Sequence, residues 1–136
     1  MPETRIRLSS PTDPAHPIEI GVPGERSVCP GLVITPCCSC DEQGRPVLRD
    51  GWQITHEPTG LRLTDRVFGE LLDAVIFTEV LAGHEIDFTD PHIGAHPAVL
   101  GALQATAAVV EGWMTGHRPV ALTGCLTSHV REETRT

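Results

Sequence analysis

Residues 45–82 read RPVLRDGWQITHEPTGLRLTDRVFGELLDAVIFTEVLA, and the spacing of the apolar residues changes within them. Up to Leu63 the period is two. Trp52, Ile54 and His56 fall on one face of a first run, Leu61 and Leu63 on one face of a second, so both read as strands. The link Glu57-Pro58-Thr59-Gly60 suits a tight hairpin turn, because Pro58 presets φ and Gly60 accepts positive φ. From Phe68 onward the period becomes that of a helix. Phe68, Leu71, Leu72, Val75, Ile76 and Val80 form one stripe, with Arg66, Glu70 and Asp73 opposite. Asp65 is the expected N-cap and Gly83 the expected stop.

Upstream, three short segments bounded by Pro or Gly read as strands: TRIRLS with Ile6 and Leu8, PIEIGV with Ile18, Ile20 and Val22, and GLVIT. A turn is expected at Glu42–Gly44. Downstream, a second helix starts near Pro97, a favoured first-turn residue, with Val99, Leu103, Val110 and Met114 as its stripe. RPVALTGCLTSHV then reads as a last strand carrying Cys125. The order of strands, two helices and a strand predicts an α+β fold: a small antiparallel sheet of about five or six short strands, with both helices on one face. The expected division is one domain over 1–136, with a strand-rich part at 1–64, helices and final strand at 65–130, and a frayed tail at 131–136.

The formal net charge is −8, and all ten basic residues are arginines spread along the chain. Such a surface repels a phosphate backbone, and three Phe and two Trp offer few stacking platforms, so nucleic acid is an unexpected partner. Another protein fits better. Lys and Tyr are absent, which excludes lysine Schiff-base and tyrosine acid–base chemistry. No apolar leader opens the chain, and Asp73 and Glu79 interrupt the longest apolar run, so the expected location is the cytoplasm with no membrane span.

Four of the five cysteines lie between residues 29 and 40, three of them in PCCSC at 36–40. Cys37 and Cys40 make a CxxC, the half-site of many tetrahedral zinc centres. Cys29 is the natural third ligand; Cys38, Cys125 or His56 is the candidate fourth. The other reading is a set of buried, inert thiols. Redox use fits less well, because a turn and a strand follow the CxxC where thiol activation wants a helix N-terminus.

PCCSC contains P-C-x-x-C and so resembles half of the zinc nucleoside deaminase signature. The upstream partner, His16 to Glu19, is one residue longer than that signature needs and sits in a strand-like segment. TPCCSC also resembles the metal loop of nitrile hydratases, with Thr35 in place of the first cysteine. Each resemblance fails at a named residue.

A second cluster, HEIDFTDPHIGAH at 84–96, brings together His84, Glu85, Asp87, Asp90, His92 and His96. These are ligand types for a hydrolytic metal, but Pro91, Gly94 and Pro97 break any helix that would align them. The sequence therefore predicts a small non-catalytic binding, regulatory or accessory module that engages another protein, with zinc held by the CxxC knuckle as its expected cofactor. The alternative is a metal-dependent enzyme, with zinc or iron at Cys29, Cys37 and Cys40 or a hydrolytic metal in the His84–His96 connection.

Overall fold

In the computed structural model, residues 3–13 and 15–111 are described. Six strands and two helices follow the expected order: β1 Glu3–Leu8, β2 Ile18–Pro23, β3 Glu25–Arg26, β4 Leu32–Cys40, β5 Pro46–His56, β6 Leu61–Arg62, α1 Leu71–Leu81 and α2 Pro97–Val110. The arrangement is α+β, with every strand pair antiparallel. The strands form two sheets rather than one, β1-β2 and β3-β4-β5-β6. The expected final strand with Cys125, as well as Trp113 and Met114, lies outside the described residues.

Three layers result. The central layer is the four-stranded sheet. On one side, Leu32, Ile34 and Ile54 pack against Phe77, Leu81, Val99 and Leu103 of the helices. On the other, Ile6, Leu8 and Val22 of the small sheet pack around Cys38. The strand alternation in the sequence drives this. Ile6 and Leu8 are buried while Arg5 and Arg7 are exposed, so β1 offers a single apolar face and needs a second layer to cover it.

α2 buries the expected stripe at Val99, Leu103 and Val110, whereas α1 shifts the phase. α1 begins at Leu71 after Glu70, with no side-chain cap, and Asp65 lies upstream of it. Its buried residues are Ala74, Phe77, Thr78 and Leu81, whereas Leu72 is 65% exposed. The segment LLDAVIF is apolar on almost every side, so spacing alone cannot choose the inward face. Phe68 is fully buried but belongs to an extended segment, bridged to Trp52 and set edge-on to Phe77 at 5.4 Å. α2 starts at Pro97 as expected; the cap is the His96 ring, whose Nδ1 accepts from the Ala98 N–H at 3.1 Å. Among the described residues no helix is long and apolar enough to cross a membrane.

Candidate functional site

PCCSC is the end of a strand. β4 runs from Leu32 through Cys40, and β5 pairs with it along most of that length. The ladder is irregular at the cysteines. Pro36 faces Trp52 but Cys38 faces Leu48, so Arg49, Asp50 and Gly51 of β5 stand opposite Cys37 alone. The bulge therefore lies on β5. Gly51 has φ +96°, and a Cβ there would come within 2.8 Å of the Phe68 carbonyl oxygen.

The bulge changes where the thiols point. In a regular strand, adjacent side chains face opposite ways. Here Cys37 continues the face of Val33 and Thr35, and its Sγ accepts from Arg62 Nη2 at 3.4 Å. Arg62 pairs with Thr55, on the side of the sheet turned toward β1 and β2. Cys38 packs among Ile6, Leu8 and Val22 on that same side, with Cys40 against it. Three thiols thus share the layer between the two sheets.

A buried polar chain runs through this layer. The Cys38 N–H donates to Gln53 Oε1 at 3.2 Å, Gln53 Nε2 donates to Thr55 Oγ1 at 3.1 Å, and the Thr55 and Thr35 hydroxyls are hydrogen-bonded to each other at 2.9 Å. Arg62 Nη2 donates to the Cys38 carbonyl at 3.0 Å, while its Nη1 is buried without a partner among the described residues. The sequence reading missed Arg62 and Gln53. Both alternate with apolar neighbours as outward-facing polar residues do, and only the second sheet buries them.

The other proposed ligands lie across the central sheet. Cys29 sits in the helix-side core, where its thiol donates to the Thr78 carbonyl of α1 at 3.2 Å. His56 pairs with Leu32 and is fully buried on that side. Its Nε2 faces the Phe88 carbonyl at 2.8 Å and its Nδ1 the Thr59 hydroxyl at 2.7 Å. With Nε2 donating to the carbonyl, Nδ1 accepts from the hydroxyl, and no ring nitrogen is left for a metal. The knuckle expected from Cys29, Cys37 and Cys40 with Cys38 or His56 is therefore not assembled: Cys29 and His56 face the helices, while Cys37, Cys38 and Cys40 face the small sheet. Among the described residues no three His, Cys, Asp or Glu side chains are placed to hold a metal ion. Cys125 lies outside them.

Burial places Cys29, Cys38 and Cys40 at the unreactive end of the thiol range. Burial pushes Cys38 up to about 11, with Cys37 adding to the shift and the Arg62 guanidinium opposing it. Burial also raises Cys29, and burial followed by the neighbouring Asp41 carboxylate raises Cys40. A thiol held protonated is a poor nucleophile.

The His84–His96 connection is built from local bonds. Asp87 accepts from the backbone and hydroxyl of Thr89, which lowers its pKa, and Asp90 accepts from the His92 N–H at 2.8 Å. His96 caps α2, and Glu85 sits at φ 54°. His84, Glu85, Asp87, Asp90, His92 and His96 are all exposed. What anchors the connection is Phe88, buried beneath it and tied through its carbonyl to His56. Comparison with protein-family models, with curated proteins and with solved structures finds no match to this chain.

Proposed function

We propose that the protein is a small binding module without catalysis that takes an extended segment of another protein along the outer edge of β5. The observation that carries this reading is the outer edge of β5 at Pro46–Asp50, which has no strand partner among the described residues. Among the described residues, β6 covers this edge at Thr55 and His56, the Leu63 N–H donates to the Ile54 carbonyl, and Phe68 bridges it at Trp52. Leu48, in the middle of the uncovered stretch, is 66% exposed. An open strand edge offers a row of main-chain donors and acceptors to an incoming strand, and an exposed apolar side chain adds selectivity. The arrangement of the thiols and of His56 supports the non-catalytic part: each is committed to packing or to a structural hydrogen bond. The net charge of −8 favours a basic or polar partner.

The test is selection of short extended peptides on the purified protein, followed by amide exchange. Binders should protect the backbone of Leu48 and Asp50, and Leu48→Lys should weaken them at least about tenfold. Binders that leave this edge unprotected and ignore the substitution sink the proposal.

A further inference from the structure

A second concavity lies on the helix side of the molecule, away from the thiols and from the β5 edge. It has a volume of about 120 Å³ and sits between the loop that follows β6 and one face of α2. Phe77, Leu100, Leu103 and Ala107 make its apolar wall, and Asp65 and Arg66 bring opposite charges to its lining.

Both charged groups have unused bonding capacity. The Arg66 side chain is 5% exposed; Nη2 donates to Glu111 Oε1 at 2.8 Å, and Nη1 is buried without a partner among the described residues. A guanidinium offers parallel donors suited to both oxygens of one carboxylate, and here a single oxygen of a 58% exposed side chain engages one of them. Among the described residues, Asp65 accepts only a long 3.5 Å bond, from its neighbour Thr64. Leaving a buried guanidinium nitrogen unpaired is unfavourable, and a carboxylate that replaces Glu111 in two-point contact removes that cost.

We propose that this groove binds a small apolar α-amino acid. The carboxylate would pair with Arg66 in place of Glu111, the ammonium with Asp65, and the aliphatic side chain would lie against Phe77 and Leu103. The argument is one of charge and size. A cation and an anion at adjacent positions, next to an apolar wall, complement a zwitterion with a short hydrocarbon tail. The groove has room for one small amino acid. In this scheme Glu111, at the end of α2, is a resident competitor for the Arg66 site.

Titration calorimetry of the full chain with L-valine and L-leucine tests this, with isovalerate and isobutylamine as arms that keep only one charge. The expected result is saturable binding of an amino acid, with both single-charge analogues at least about tenfold weaker. Arg66→Gln is liable to unfold the protein, so two more exposed positions carry the test. Glu111→Gln should tighten the amino acid several-fold by removing the competing carboxylate. Asp65→Asn should bring the amino acid's affinity down to that of isovalerate. The proposal is overturned by absence of saturation at millimolar amino acid, by isovalerate binding as tightly as L-valine, or by Glu111→Gln leaving affinity unchanged or weaker.

Discussion

His56 is the residue on which most of the helix side depends. It joins the end of β5, the hairpin turn at Thr59 and the connection at Phe88, all through one ring with no exposed surface. Burial lowers its pKa, with the Phe88 and Asp90 backbone carbonyls and the Asp90 charge opposing. The sign of the linkage follows. Below the ordinary histidine value of about 6.5, the unfolded chain takes up a proton that the folded chain resists, so folding stability falls as pH falls. That contribution is complete above the unfolded value and is lost on the way down to the folded one. Asp41 and Asp87 are lowered as well, by backbone hydrogen bonds to Asp41 and by the Thr89 hydroxyl bond to Asp87; their contribution has the same sign but is lost only in the lower carboxylate range. Urea midpoints measured at pH 7.5 and pH 5 should therefore drop for the native chain. His56→Gln should be less stable at neutral pH by about 2–4 kcal/mol and should flatten that drop. An unchanged drop in the variant assigns the titration elsewhere.

Among the elements, the β4–β5 ribbon shows the clearest gap between what the sequence announces and what forms. Alternation located β1 and β2, Pro58 and Gly60 located the hairpin turn, and Pro97 located the start of α2, because each is a local preference written in a few residues. The cysteine segment was legible only as a choice between a knuckle and buried thiols. Its outcome depends on β5, where two extra residues enter the ladder, and on β1 and β2, which cover the thiols from far away in sequence. Gly51 is the hinge of this bulge, yet in RDGWQ it reads as no more than a turn glycine. A side chain there meets backbone, which cannot rotate away, in a conformation that disfavours any Cβ. Gly51→Ala should cost about 1–3 kcal/mol. Gly83→Ala, where a Cβ meets nothing within 4 Å, should be neutral or stabilising by up to about 1 kcal/mol. Equal effects at the two positions in denaturant titrations would falsify the bulge as the cause.

At the scale of the whole molecule, the central sheet divides the described cysteines between two cores. Cys29 lies with Phe77 and Leu81 on one side, Cys38 with Ile6 and Val22 on the other, and Cys40 is half-buried at the rim. A zinc site drawing on both sides would need the sheet to open, at the expense of the β4–β5 ladder and both apolar layers. The two-core arrangement makes a joint prediction about metal and thiols. Treatment with a strong chelator should leave the circular dichroism spectrum and the urea midpoint unchanged, because burial rather than coordination holds these side chains. Under the same native conditions, alkylation followed by peptide mapping should modify Cys40 first. Cys29, Cys37 and Cys38 should react only at the rate at which the sheet opens, and so together with global unfolding. Stabilising substitutions elsewhere should slow those three in proportion and leave Cys40 unaffected. A loss of structure on chelation, or fast native modification of Cys37 and Cys38, would show that the thiols are held by something other than the two layers that enclose them.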